Sequence, residues 1–228
     1  MQKKPSNRRD FLGKIAASAA AVGIASITSP FSVNASPEFF DHTNDADEWF
    51  SKIKGKHRIM YDVVRPNGML PFAWSRIFLV TNTATGTPEK DNNVVVVLRH
   101  DGIPYAMQDN LWAKYKFGEM FKVTDDKTKA AALRNPFWKP APGDYKAPGI
   151  GNVAVGINEL QDSGVMFCAC NMALTVYSAV IAQQTNQDAA VVKNEFLANI
   201  LPGIQVVPSG VWAVNRAQEH GCSYCYAG

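Results

Sequence analysis

Apolar positions along this chain switch between two spacings, and the switches mark out the predicted elements. "HRIMYDVV" (57–64) is apolar and β-branched and predicts a first strand. "LPFAWSRIFLVTNTAT" (70–85) carries Trp74, Ile77, Phe78 and Thr81 at helical spacing, which predicts a helix with those residues on its core face. "VVVVLRH" (94–100) is an almost unbroken apolar run, the pattern of a strand buried on both faces of a parallel sheet. A helix is expected over 106–121, another over 151–164 ending at Gly164, and a third strand at "VMFCAC" (165–170). Helices at about 173–184 and 188–200, a fourth strand at 204–209, a helix at 211–221 stopped by Gly221 and a fifth strand at 222–227 complete the pattern.

Strands alternating with helices at this spacing mean βαβ units. The expected fold is α/β, an open five-stranded parallel sheet of flavodoxin-like type with helices on both faces. Strand order 2-1-3-4-5 is expected, with a ligand site beyond the carboxyl ends of the strands, between the first and the third. Residues 124–150 interrupt the pattern with four prolines and little periodicity. So long a segment is expected to form a lid or a contact to another subunit.

The N-terminus changes the charge reading. Arg8 and Arg9 precede Phe11 and Leu12, an alanine-rich apolar stretch runs to about Ile27, and Val33-Asn34-Ala35 offers small residues for cleavage. That order predicts a twin-arginine signal peptide over 1–35 and export to the periplasm, with no stable membrane span after processing. The segment holds five of the 23 Lys and Arg and one of the 20 Asp and Glu, which leaves 18 basic against 19 acidic residues. No nucleic-acid footprint is expected. Residues 36–56, with Asp41, Asp45, Asp47 and Glu48, are expected to be a polar leader with one short helix near 47–52, ahead of a single domain over 57–228.

Four cysteines form two tight pairs, Cys168 with Cys170 and Cys222 with Cys225. On a regular strand Cys168 and Cys170 share one face with Cα atoms about 6.6 Å apart, too parallel for a disulfide without a bend. Cys222 and Cys225 face opposite ways and have no helix after them, unlike a redox Cys-x-x-Cys. No cofactor is expected on the principal reading. The alternative is a thiolate site for copper or zinc made by Cys168, Cys170, Cys222 and Cys225. A third reading makes the chain a structural oligomer subunit whose thiols only pack. Cys170 stands apart, because it ends a strand and precedes "NMALTVYSA", a helix start with Asn171 as its possible cap. A thiolate there can attack a sulfane donor and hold the extra sulfur as a persulfide. His100 is a candidate to protonate the sulfur species. Arg99, Asn171 and Ser209 are candidates for binding it, Arg99 by holding an anion such as thiosulfate.

"FCACNMAL", "VVVVLRHDGIPY" and the tail "VVPSGVWAVNRAQEHGCSYCYAG" resemble DsrE/DsrF-like proteins, and more closely their exported branch with twin-arginine signals, over about residues 55–228. The resemblance implies a five-stranded parallel α/β fold, homo- or hetero-oligomers, and sulfur passed as a cysteine persulfide. Cys170 matches the acceptor cysteine that closes the third strand in that family. The partners implied are sulfur donor and acceptor proteins or small sulfur species. The family's relay members work in the cytoplasm, so transfer-RNA thiolation is not expected of an exported chain, and Cys168 has no role carried over.

Overall fold

The computed structural model describes residues 43–228; the signal segment read at 1–35 and the start of the leader lie outside the described residues. Five parallel strands form the sheet: β1 (His57–Val63), β2 (Asn92–Leu98), β3 (Met166–Cys170), β4 (Ile204–Val207) and β5 (Ser223–Tyr226). The open, all-parallel α/β architecture is the one the pattern predicts. Its order is not 2-1-3-4-5. The strands lie β4-β3-β2-β1-β5, so the chain steps one way through β1 to β4 and then crosses the whole sheet to place β5 beside β1.

The two faces are dressed unequally. One carries α2 (Leu70–Ala84), α3 (Asp109–Lys114), α4 (Phe117–Met120), α5 (Ile157–Asp162), α6 (Asn171–Thr185) and α7 (Ala189–Ala198). The other carries α1 (Thr43–Phe50) and α8 (Gly210–Glu219). Strand alternation sorts the side chains between them. Val94, Val96, Leu98, Phe167 and Ala169 enter the larger core, while Val95, Val97, Met60 and Cys168 enter the smaller. Val94 to Leu98 of β2 are all buried, as the valine run requires, and each such side chain contributes about 1.5–3 kcal/mol. The stretch read as a polar leader supplies α1, whose Ala46, Trp49 and Phe50 are buried with Ile53 against the smaller face.

Several boundaries differ for identifiable reasons. The helix expected at 106–121 is replaced by a 3-10 stretch, His100–Ala106, then α3 and α4. Pro104 has no N–H to give an α-helix, and Lys116 takes a left-handed φ of 51° between the two short helices. Residues expected to open a helix at 151 instead pair Gly151–Asn152 with Lys146–Ala147 in a small antiparallel ladder. The 124–150 segment packs into the larger core and gives the cleft at Cys170 no lining residue. Asn135, wholly buried, gives its amide to the carbonyls of Tyr105 (2.9 Å) and Met107 (3.0 Å), and Phe137 and Tyr145 stack in the larger core. Among the described residues no helix is long and apolar enough to cross a membrane.

Candidate functional site

Strand order decides where a crevice opens. The carboxyl ends of β1, β2 and β3 lead into elements on the larger face, whereas β4 leads into α8 on the smaller face. The neighbouring strands β3 and β4 therefore send their chains apart, and the switch point lies between them rather than between the first and third strands. A cleft of about 280 Å³ opens there, lined by Cys170 at the end of β3, Arg99 and His100 after β2, Ser209 and Gly210 after β4, and Tyr177 on α6. The sequence thus placed Cys170 beside the crevice on a strand order that the chain does not adopt.

Cys170 is both the last residue of β3 and the N-cap of α6. Its Sγ accepts the N–H of Ala173 at 3.3 Å, so the sulfur takes the capping position expected of Asn171. Asn171 is instead the first helical residue; its Oδ1 is buried with no partner among the described residues, and it does not line the cleft. Because the strand turns directly into the helix, Cys170 leaves the alternation of β3. Its side chain packs with the larger core while Cys168 packs with the smaller one, and the shared face expected of them is not realised. Cys170 is only 6% exposed, yet it forms part of the cleft floor. A negative charge on this sulfur meets the positive end of a 15-residue helix.

Arg99 is held by a carboxylate rather than left open for an anion. Its Nε and Nη2 donate to Oδ1 and Oδ2 of Asp62 at 2.6 and 2.9 Å, a two-pronged bond. Asp62 is 1% exposed, and the Tyr224 hydroxyl donates to its Oδ2 at 2.9 Å. The hydrogen bond to Asp62 raises the Arg99 pKa, against the opposing effect of burial. Asp62 sits inside "HRIMYDVV", where a carboxylate in an apolar strand has to find a partner. That placement is the trace of the pair in the sequence, where spacing alone does not reveal it.

His100 has a left-handed φ of 48° immediately after Arg99. Its Nδ1 lies 3.1 Å from Oδ1 of Asp101, and the Tyr177 hydroxyl donates to the same oxygen. Burial and that bond push the Tyr177 phenol well above its ordinary value. Asp101 thus engages the imidazole ring through Nδ1. Ser209 caps α8, its Oγ accepting the N–H of Trp212 at 3.2 Å. Asp101 and Tyr177 complete the group, and neither was marked by spacing or composition.

The other cysteines lie elsewhere. All four are free. β3 and β5 are three strand spacings apart, roughly 14 Å, which separates Cys168 and Cys170 from the second pair. Cys222 is buried in the smaller core and Cys225 packs half-buried against the larger. Burial pushes the Cys168 thiol far up and the Cys222 thiol up to about 11. Among the described residues no group of three or more His, Cys, Asp or Glu side chains is placed to hold a metal ion.

No protein-family model matches this chain, and no curated protein matches it. Among solved structures it is similar to a protein of unknown function from Methanobacterium thermoautotrophicum, with 19% identity and a TM-score of 0.35, over 75% of this chain and 99% of that one.

Proposed function

We propose that this protein is an exported sulfur carrier that holds sulfane sulfur as a persulfide on Cys170. One observation carries the reading: the Cys170 sulfur lies at the N-terminus of α6 and on the floor of a cleft open to solvent at the switch point. A sulfur so placed borders the cleft at the positive end of a helix, where an anionic group is favoured. His100, oriented by Asp101, is the group placed to give or take a proton as the sulfur bond is exchanged. Arg99 and Ser209 shape the cleft, and their hydrogen bonds to Asp62 and Trp212 hold them still. The resemblance of "FCACNMAL" to the acceptor segment of DsrE/DsrF-like proteins supports the same reading, with sulfur donor and acceptor proteins or small sulfur species as partners.

The test is intact mass before and after polysulfide, then after reductant. The expected result is a reversible gain of about 32 Da, one sulfur atom, lost in Cys170→Ser. An equal gain in that variant, with folding intact, overturns the proposal.

A further inference from the structure

We infer that the Cys170 cleft takes uncharged, apolar sulfur compounds and discriminates against oxyanions such as thiosulfate. This rests on Cys170 as the sulfur carrier and names the class of its substrate.

The charges around the cleft are already matched. Arg99 would be the natural anion holder, but Nε and Nη2 are both committed to Asp62, which is 1% exposed. The pair brings no net charge to the floor. Two helix N-termini, of α6 and α8, also face the cleft. Their first-turn donors are partly used internally, Ala173 N–H by Cys170 Sγ and Trp212 N–H by Ser209 Oγ. What remains of their positive ends is matched by a single thiolate on Cys170. Behind the lining residues His100 and Tyr177, Asp101 adds a carboxylate that both of them engage. A second anion therefore finds a neighbourhood that is neutral or negative.

The walls make the same demand. Met172 and Val176 on α6 and Val211 on α8 line the opening, exposed by 39%, 53% and 65%, with Ala173 between them. A dianion entering here would exchange water for methyl groups without an unmatched cation to receive it. An alkyl or aryl group buries those side chains instead, and about 280 Å³ is room for a small organic molecule.

The step this permits balances without an outside oxidant. The Cys170 thiolate attacks the outer sulfur of a protonated organic persulfide, R–S–S–H. A new S–S bond forms to Cys170 as the old one breaks, and R–S⁻ leaves with the bonding pair. Cys170 keeps the transferred sulfur and its hydrogen. The departing thiolate takes a proton from solvent through His100, and the number of S–S bonds is unchanged.

The experiment separates charge selection from sulfur carriage. The full chain is alkylated with iodoacetamide or iodoacetate, and modification at Cys170 is read by peptide mass beside free glutathione. The expected preference for the uncharged reagent exceeds that of glutathione by roughly fivefold or more. Asp62→Asn, which leaves Arg99 unmatched, shifts it toward iodoacetate. Should that variant not fold, Val211→Lys adds a cation at the exposed rim without touching the core, with the same expected shift. A preference equal to or below that of glutathione, or no reaction at Cys170 with either reagent, overturns the inference. In a second arm, benzyl persulfide is expected to load Cys170 at least about tenfold faster than thiosulfate. Thiosulfate loading as fast overturns the substrate class and leaves the carrier standing. Failure of both donors, with the alkylation preference intact, overturns the carrier and leaves the charge selection of the cleft.

Discussion

Gly210 lies directly against the stem of Arg99: a Cβ built on the glycine would stand 2.5 Å from both the Cβ and the Cδ of the arginine. The first turn of α8 and the end of β2 can therefore meet only while position 210 lacks a side chain. Gly210→Ala is expected to cost about 1–3 kcal/mol in urea unfolding, because the arginine stem must move off its line to Asp62. The same substitution made in Arg99→Gly, which removes both of those atoms, is expected to cost much less. Equal costs in the two backgrounds would refute the contact as the cause.

Cys168 packs among Val95, Val97 and Val207 and is wholly buried. A hydroxyl in its place has no partner supplied for it. Cys168→Ser is expected to be about 1–3 kcal/mol less stable than Cys168→Ala. Alkylation of Cys170 in the folded protein is expected to be the same in both. A drop in Cys170 alkylation with either change would tie the two thiols into one site.

Asn135 anchors the 124–150 segment through the carbonyls of Tyr105 and Met107. Asn135→Ala strands both inside the core and is expected to destabilise the fold by about 2–4 kcal/mol. Since this segment gives the Cys170 cleft no lining residue, persulfide loading per folded molecule is expected to be unchanged. A loading rate that falls with this variant would show the segment acting on the cleft.

Glu195 on α7 receives Lys114 Nζ at 2.7 Å and the Tyr115 hydroxyl at 2.6 Å. Burial alone would raise its pKa, but these bonds outweigh it and hold the carboxyl below the ordinary glutamate value. A lowered folded-state pKa adds stability that is complete above the unfolded value and is lost as the pH falls through the folded one. Thermal melts from about pH 6 to about pH 3 should therefore fall more steeply for wild type than for Glu195→Gln, the difference being about 1 kcal/mol or less for a part-exposed pair. Parallel curves would mean that the pair adds nothing.

Much of the fold was legible because burial on both faces leaves a clear trace. The valine run of β2 and the "VMFCAC" run of β3 are found within a residue or two of where they were read. Strand order was not legible. It depends on α8 crossing the smaller face to set β5 beside β1, and periodicity says which side of a helix is apolar, not which face of a sheet receives it. The same limit explains the cleft. Cys170 is marked by its place at a strand end, whereas its closeness to Arg99 and Ser209 follows from β2, β3 and β4 being neighbours. The Arg99–Asp62 pair joins residues 37 apart, so only the oddity of a carboxylate in β1 hinted at it. Asn135 and the break at Lys116 left no trace, since both depend on how distant backbone groups meet.

The unequal dressing of the sheet gives this protein a built-in clock for its own opening. Cys168 and Cys222 lie beneath α1 and α8, whereas Cys170 is gripped by the first turn of α6 on the other side. Short pulses of alkylating reagent in mild denaturant then time two events in one molecule, departure of the thin layer at Cys168 and Cys222 and fraying of the α6 end at Cys170. The order in which the marks accumulate tells which layer lets go first, with no probe added to the chain.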